Sequence, residues 1–272
     1  MDDTRQPIRL GLVLSAGGLR GAAHAGLLRQ LVRYDIPIDS IVGVSAGAVV
    51  AAYYAAVGLS VDELIADAAN FRGRHLLAHS LNVRLGYKFD GRLRRSCGVI
   101  PERLAQLESA RFDRLHHGIG RLGIVCHDLA TRAPRYFASG IESDAGLGDV
   151  VRASASIPGL FPAISPPGDR TSRLTDGGLS DPVPVAFARS AAIGATHLIV
   201  SDCRWIGRTP TGDSRTIWIR HRAGRTGTLW SPRRGLLQAV QDGEAAVTDE
   251  ILDRIRSWFA GNTHEARLAT AV

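Results

Sequence analysis

Lysine is nearly missing from the sequence, so the basic character of the chain is almost entirely due to arginine. Of the 33 basic residues among 272, only Lys88 is lysine, and the formal net charge is +7. No basic run is long enough to form a nucleic-acid-binding arm, so we expect no nucleic-acid partner. The excess charge favours attraction to anionic surfaces, unless it only reflects the codon composition of the source genome.

Cysteine is also scarce. The three cysteines, Cys97, Cys126 and Cys203, are odd in number and form no C-x-x-C pair. This pattern excludes a disulfide framework and a zinc ribbon. A reducing compartment is the simplest inference, so we expect a cytoplasmic protein. We also expect no metal and no cofactor.

A signal peptide and a membrane span are not indicated either. Asp2 and Asp3 open the chain, where a signal peptide has basic residues. The 22 residues from Ser40 to Val61 carry no charge and are enough to cross a bilayer. Glycines and a tyrosine pair interrupt this run, however, and it divides into a strand at 40–44 and a helix at 46–57. We therefore predict two buried elements of a globular core.

Segments typical of strands and helices alternate along the chain. Strands are predicted at 8–15, 40–44, 122–126, 135–138, 173–175, 197–201 and 216–219, and further helices at 22–34, 61–71, 101–108, 149–156, 183–192 and 236–259. Alternation predicts an α/β fold of three layers, α/β/α, with a mainly parallel central sheet. Residues 72–118 have the weakest periodicity, and they either cover a site or run over the surface. We place one domain at 1–205, with the strand and long helix of 206–272 packing on it.

The segment Gly43-Val44-Ser45-Ala46-Gly47 matches the pattern G-x-S-x-G between a predicted strand and a predicted helix. A turn this sharp needs small residues two before and two after the serine, whose hydroxyl it exposes. The N–H groups at the start of the following helix can stabilise a developing oxyanion. Ser45 is therefore a candidate nucleophile, the alternative being a tight glycine turn whose serine caps the helix.

A nucleophilic serine needs a base, and histidine is the usual one. The sequence has nine histidines, but none stands late in the chain after an acidic residue and a strand. His24 falls inside the first predicted helix, where we expect a packed side chain. A conventional Ser-His-Asp hydrolase is therefore an alternative that substitution of the histidines would test.

Two further glycine motifs lie on either side of the serine in the sequence. One is Ala16-Gly17-Gly18-Leu19-Arg20-Gly21, after the first strand, and the other is Asp176-Gly177-Gly178. Together with Gly43–Gly47, this ordered set resembles the patatin-like phospholipase family, over about residues 8 to 203. The supporting segments that resemble the family are 22–26, 152–162 and 181–184.

The resemblance implies a patatin-like catalytic domain and a serine–aspartate dyad, here Ser45 and Asp176. It also implies an oxyanion hole built from the backbone N–H groups of Gly17 and Gly18. The substrate it implies is a lipid carboxylic ester, cleaved by a phospholipase A, a lysophospholipase or a general lipid esterase. The motif residues that would support this site are Arg20, Gly21, Gly43, Ala46, Gly47, Gly177 and Gly178.

The chemistry of a carboxylate beside a serine agrees with this dyad. Within hydrogen-bond reach, Asp176 can take the serine proton during attack, return it to the leaving alcohol, and then activate water. A carboxylate is a weak base near its ordinary pKa of about 4, so an apolar pocket that raises this pKa would help. Taken alone, Asp176 also fits a plain turn before two glycines. The family usually has glycine at Ala16, whose methyl group we expect to disturb the loop only slightly.

Two other functions fit parts of the sequence. Residues 16–21 follow a strand and open a helix, as a phosphate loop does, and Asp39 could bind a ribose. The loop lacks the Gly-Lys-Ser/Thr ending and the first glycine of a dinucleotide fingerprint, so nucleotide binding is the less favoured alternative. The other is a binding protein that keeps the fold without catalysis. Arg20 either meets a lipid phosphate or pairs with a carboxylate and fixes the loop.

A segment near the C-terminus combines arginine with large apolar side chains. Its members are Arg222, Arg225, Trp230, Arg233 and Arg234, with Leu229, Leu236 and Leu237 nearby. This combination suits an anionic lipid surface, at about 1 kcal/mol per charge. We expect reversible, salt-sensitive membrane contact without insertion, the alternative being a surface turn before a packed helix.

Overall fold

A computed structural model describes residues 7–85, 97–141, 145–167, 169, 171–207, 213–221, 226–229, 231 and 235–269, the side chains of 261–269 excepted. The strands are β1 Leu10–Leu14, β2 Ser40–Val44, β3 Arg121–Asp128, β4 Ala133–Ala138, β5 Leu174–Asp176, β6 His197–Asp202 and β7 Thr216–Arg220. The helices are α1 Ala22–Arg33, α2 Ala46–Ala52, α3 Val61–Asn70, α4 Gly73–Arg84, α5 Ile100–Ser109, α6 Leu147–Ser154, α7 Val185–Arg189, α8 Gly235–Ala245 and α9 Asp249–Ala269. A 3₁₀ turn, Gly18–Gly21, precedes α1, and a π-helical turn, Tyr53–Val57, follows α2.

The strands form one sheet in the order β4-β3-β2-β1-β6-β7, with β5 as a further partner of β3. The pairs β1–β2, β2–β3, β1–β6 and β6–β7 are parallel. Only β4 and β5 run antiparallel, both against β3. The prediction of a mainly parallel sheet is therefore confirmed.

Both faces of the sheet are covered, because successive strand residues point to opposite sides. On one side Ile41 joins a large core with α1, α2, α3, α5, α6 and α9. On the other side Val42 packs in a smaller core with Phe187 of α7. All residues of β1 and β2 are buried, as expected for strands between two helical layers.

Two strands lie end to end along one edge of β3. β2 pairs with β3 as far as Val44, opposite Val125, and β5 pairs from Asp176, opposite Cys126. β4 occupies the other edge of β3 beside these residues. The residue that follows Val44 therefore meets the last residue of β5.

The predicted helix at 236–259 is wrong in one respect, because it is two helices. α8 ends at Ala245 and α9 begins at Asp249. Thr248 begins the second helix, and its carbonyl accepts the N–H of Leu252. A threonine followed by two acidic residues is a strong helix start, and it divides an otherwise continuous amphipathic pattern.

The other predicted helices are present in the structure, which differs from the prediction in two places. A capping box starts α3, with Ser60 accepting from the Glu63 N–H and the Glu63 carboxylate accepting from the Ser60 N–H. The predicted helix at 183–192 is limited to α7. α4 was not predicted, since its sequence mixes arginine, histidine and leucine without a clear apolar face.

The uncharged run of 40–61 becomes β2, α2, the π-helical turn and the start of α3. In the ranges that the structure describes, no helix has the length and apolar character needed to cross a membrane. The division at residue 205 stays a prediction. β7 lies in the same sheet as β6, and α8 packs so closely on α1 that a side chain at Gly26 would collide with the Val240 carbonyl.

Candidate active site

Ser45 occupies a tight turn between β2 and α2. Its φ of 56° and ψ of −123° lie in a region that non-glycine residues rarely adopt. A Cβ at Gly43 would collide with the carbonyl of Gly47, and a Cβ at Gly47 with the carbonyl of Leu14. The two glycines therefore allow the strained backbone that the G-x-S-x-G pattern predicts.

Ser154, at the end of α6, stabilises this turn through a hydrogen bond. Its hydroxyl oxygen accepts the N–H of Ser45 at 2.9 Å, and its own hydrogen goes to the carbonyl of Val125 at 2.6 Å. Ser154 is fully buried. Its role could not be inferred from the sequence, where it is one of two serines in the segment 152–162. Only the packing of α6 against β3 shows which backbone group it meets.

The Ser45 hydroxyl points at the carboxylate of Asp176. Oγ donates a hydrogen bond of 2.7 Å to Oδ2, and Oδ1 accepts the N–H of Gly178 at 2.8 Å. Burial raises the pKa of Asp176, while the hydrogen bonds from Ser45 and Gly178 act in the opposite direction. The pair has the separation that proton transfer from a serine to a base requires.

The glycine loop runs beside this pair. Ala16 and Leu19 donate their N–H groups to the carbonyls of Pro182 and Thr228. Within the described part of the chain, no group accepts the N–H of Gly17 or Gly18. These two donors are therefore available for a ligand.

Close packing explains the glycines of this loop. Gly18 has a φ of +57°, and a Cβ there would collide with the Thr228 carbonyl. A Cβ at Gly17 would lie 2.7 Å from that of Cys203. Ala16, in contrast, is not among the residues with positive φ, and a Cβ at Gly178 would lie 3.0 Å from its methyl group. Alanine at this position therefore fits without backbone strain.

Among the described residues, Arg20 fixes the loop through a carbonyl and a hydroxyl and not through a carboxylate. Its Nε donates to the Cys203 carbonyl at 2.9 Å, and Nη1 to the Thr228 hydroxyl at 3.2 Å. The guanidinium also lies over the ring of Trp205, 5.5 Å from its centre. These contacts favour the structural role of Arg20 over contact with a lipid phosphate.

The remaining motif glycines allow the segments to approach one another. A Cβ at Gly21 would lie 2.5 Å from that of Ala46, which brings the glycine loop against the start of α2. A Cβ at Gly177 would collide with the Val125 carbonyl. The three motifs are therefore in mutual contact around Ser45.

Gly18, Ser45 and Ala46 line a pocket of about 450 Å³. Its walls are mainly aliphatic and aromatic and come from α2, α3, α4, α5 and the segment after α6. The apolar lining includes Val49, Val50, Tyr53, Leu64, Phe71, Leu76, Val83, Ile100, Leu104, Leu107, Ile157 and Phe161. Within the range 72–118, whose role the sequence left open, α4 and α5 thus form part of the wall around this cavity.

No histidine among the described side chains hydrogen-bonds to Ser45 or Asp176. His79 lines the pocket, and burial lowers its pKa. His24 is fully buried, as expected for a packed residue, and burial lowers its pKa to about 4. Burial likewise lowers the pKa of His221 to about 3, so both imidazoles are neutral at pH 7.

Most of the proposed membrane segment lies outside the described residues. This applies to Arg222, Arg225, Trp230, Arg233 and Arg234. Of its neighbours, Leu229 is exposed and Leu236 is buried. The contact with anionic lipid therefore stays a prediction.

Comparison with curated proteins finds similar sequences in longer chains. A lysophospholipase of Emericella nidulans is 29% identical over 215 residues, which cover 75% of this chain and 12% of the relative. A patatin-like phospholipase domain-containing protein of Caenorhabditis elegans is 32% identical over 224 residues, 77% of this chain and 15% of the relative. The chain thus spans only a small part of these relatives.

Comparison with solved structures finds the same fold. The crystal structure of VipD from Legionella pneumophila matches with a TM-score of 0.53 at 14% identity, covering 92% of this chain and 67% of that one. The family model described as patatin-like phospholipase matches residues 12–189, which include the glycine loop, Ser45 and Asp176. Because this match covers well over half of the sequence, the chain belongs to the patatin-like phospholipase family.

Proposed function

We propose that the protein is a serine hydrolase that cleaves carboxylic ester bonds of lipids through a Ser45–Asp176 dyad. The observation that carries this proposal is the 2.7 Å hydrogen bond from the Ser45 hydroxyl, which lines an apolar pocket, to the Asp176 carboxylate. A strained nucleophile, an adjacent base and an apolar cavity are what acyl transfer from a lipid needs.

In the first half of the proposed reaction, Ser45 Oγ attacks the ester carbonyl carbon while its proton passes to Asp176 Oδ2. The carbonyl oxygen becomes an oxyanion, for which the N–H groups of Gly17 and Gly18 are the available donors. The carbon–oxygen bond to the alcohol then breaks, and Asp176 returns the proton to the leaving oxygen. An acyl group remains on Ser45.

In the second half, Asp176 takes a proton from water as the water oxygen attacks the acyl carbon. The second tetrahedral intermediate collapses, Ser45 recovers its proton, and the fatty acid leaves. Burial supports both halves because it raises the pKa of Asp176, which makes the carboxylate a stronger base than an exposed one.

The pocket favours a long acyl chain as the group transferred. Its lining is mainly apolar, and its polar groups include the ion pair of Arg103 with Asp67, 2.6 Å apart. Burying an alkyl chain contributes roughly 0.8 kcal/mol per methylene, so a chain that fills the cavity binds better than a short one. This agrees with relatives that are named lysophospholipases and phospholipases.

We also propose peripheral contact with an anionic lipid surface. Besides the arginine-rich segment, α4 supports this contact, because it lines the pocket with Leu76 and Val83 and exposes Leu77 and Leu81 to solvent. Sedimentation with anionic and neutral vesicles, at low and high salt, tests it. Equal recovery with both vesicle types at low salt would count against this contact.

A fluorophosphonate probe followed by mass spectrometry tests the hydrolase proposal directly. We expect one adduct, on Ser45, and hydrolysis of long-chain lipid esters that Ser45→Ala abolishes. An adduct on another serine of the active protein would contradict the assignment. Lipid binding without hydrolysis or labelling would indicate a binding protein, and loss of activity in a folded single histidine variant would indicate a triad.

A further inference from the structure

A second group of reactive side chains lies outside the dyad, beneath the glycine loop. It consists of His24 on α1, Ser201 and Cys203 at the end of β6, and His221 just after β7. His24 and Ser201 are fully buried, and Cys203 and His221 are 2% and 7% exposed. Hydrolysis of an ester uses none of them, so their position calls for a separate explanation.

The nitrogen and sulfur atoms of this group converge. The ligand atoms offered by His24, Cys203 and His221 all lie within 4.8 Å of one another. His24 Nδ1 and Cys203 Sγ are 3.6 Å apart. In a tetrahedral zinc site, bonds of about 2.3 Å to sulfur and 2.0 Å to nitrogen place such a pair roughly 3.5 Å apart.

His24 is already oriented as a metal ligand. Its Nε2 lies 2.9 Å from the carbonyl of Ser15, and a carbonyl can only accept, so the ring proton is on Nε2. Nδ1 therefore carries a lone pair directed at Ser201 and Cys203. Histidines that bind metals commonly donate their second N–H to a carbonyl in this way.

The hydrogen bonding of the group leaves one buried ring nitrogen without a partner among the described residues. The Ser201 hydroxyl lies 2.7 Å from His24 Nδ1 and 2.6 Å from His221 Nε2, so it can donate its hydrogen to His24 and accept the Nε2–H of His221. In the described part of the chain, the buried Nδ1 of His221 has no partner at all. The unpaired Nδ1 can therefore take up the ring proton when Nε2 binds a metal.

The charges beside the group are one buried carboxylate and the guanidinium groups of Arg20 and Arg204. Asp202, between Ser201 and Cys203 in the sequence, is fully buried, and its only ion pair within the described ranges is with Arg204, at 2.9 Å. Binding of a divalent ion would release the Cys203 proton to solvent, and the bound ion with its thiolate would carry one net positive charge. The Asp202 carboxylate partly balances that charge.

We propose that His24 Nδ1, Cys203 Sγ and His221 Nε2 bind a zinc ion, with the Ser201 hydroxyl or a water molecule as the fourth ligand. Sequence motifs for zinc do not show this site, because its ligands come from three separate parts of the chain. The ion would stabilise the base of the glycine loop, since the Cys203 carbonyl accepts from Arg20 and its N–H donates to Ser15.

Cobalt substitution of the wild-type protein is the first test. Protein treated with a chelator is titrated with Co²⁺, and the absorption of tetrahedral cobalt and of thiolate-to-cobalt charge transfer is followed. We expect both bands to saturate at one equivalent, Zn²⁺ to displace them, and zinc to raise the melting temperature. Absence of the charge-transfer band at saturating Co²⁺ would overturn the proposal.

Matched variants identify the ligands. Cys203→Ser should remove the charge-transfer band, and His221→Ala should weaken zinc binding by more than about 10-fold, the least expected even for a lost outer-shell partner. Cys97→Ser is the control, since Cys97 is buried elsewhere and should leave the spectrum unchanged. A charge-transfer band that survives in Cys203→Ser, or that is lost in Cys97→Ser, would refute the assignment. The wild-type spectrum decides the question if a variant does not fold.

Discussion

The turn at Ser45 and the part of the pocket wall formed by α4 and α5 differ in what determines their structure. At the turn, backbone atoms of Gly43, Gly47 and Leu14 are so close that any side chain would collide. In the wall, α4 and α5 present side chains of several kinds to one cavity. Steric exclusion between backbones leaves a recognisable sequence motif, whereas packing of interchangeable apolar side chains does not.

The comparison also separates two parts of the proposed function. The turn, the glycine loop and Asp176 supply the chemistry of ester cleavage. The pocket wall determines which acyl group fits next to Ser45. Substitutions in the first region should therefore lower turnover on every ester, and substitutions in the second should change the preference among esters.

Substitution of the dyad should have the largest effect. Ser45→Ala and Asp176→Asn should each lower kcat/KM by roughly 10³-fold or more on long and short esters alike. The wild-type profile should lose kcat/KM as the pH falls through the raised pKa of Asp176, because the protonated acid cannot accept the serine proton. Steady-state kinetics over a pH range measure the loss of kcat/KM in the variants and the pH profile of the wild type. A pH profile of Asp176→Asn that keeps the same acidic limb would contradict the assigned base.

Asp176→Asn should at the same time not destabilise the fold. A buried carboxyl with a raised pKa stabilises the folded state while protonated, and this contribution is lost as the pH rises through that pKa. The neutral amide avoids burying a charge at neutral pH. Calorimetry should show an equal or higher melting temperature, which separates the loss of activity from loss of structure.

Substitution in the glycine loop should have the second largest effect. Gly18→Val places a branched side chain at positive φ against the Thr228 carbonyl, which displaces the N–H groups of the loop. Turnover should fall by about 10² to 10³-fold, the effect of losing one oxyanion donor. Circular dichroism checks the fold. Nearly normal kinetics in a folded variant would indicate that another group, for example the Ala46 N–H, donates to the oxyanion.

Loss of the Ser154 hydroxyl should have a smaller effect. Ser154→Ala leaves the buried N–H of Ser45 without an acceptor, at a cost of about 1–3 kcal/mol, and loosens the turn. We expect kcat to fall between about 10- and 100-fold with KM little changed. Ser139→Ala is the control, because its buried hydroxyl bonds to Leu122 away from the turn. Equal kinetic losses in both variants would show a general destabilisation.

Narrowing the pocket should have the smallest effect, and one limited to long chains. Leu104→Phe adds volume inside the cavity, so kcat/KM for long-chain esters should fall about 10-fold while short-chain esters are little affected. Leu81→Ala, on the exposed side of α4, is the control with soluble esters. A uniform loss on all chain lengths would mean that the cavity does not hold the acyl group.

The sequence alone was enough to predict the alternation of elements, the mainly parallel sheet and the turn at Ser45. The capping box of Ser60 and Glu63 was also predictable, because both partners lie in one helical turn. Each of these depends on residues within a few positions of one another. Their physical causes are the periodicity of apolar residues, helix capping and steric exclusion. These act locally and are therefore visible in the sequence.

The resemblance of the motifs suggested that Ser45 acts with Asp176, but their contact across 131 residues follows from the sheet. β2 and β5 meet because both pair with the same edge of β3. Ser154 beneath the turn, the lining by α4, and the group of His24, Cys203 and His221 likewise arise only in the fold. Such contacts depend on which distant segments pack together, and that is decided by burial of the whole core.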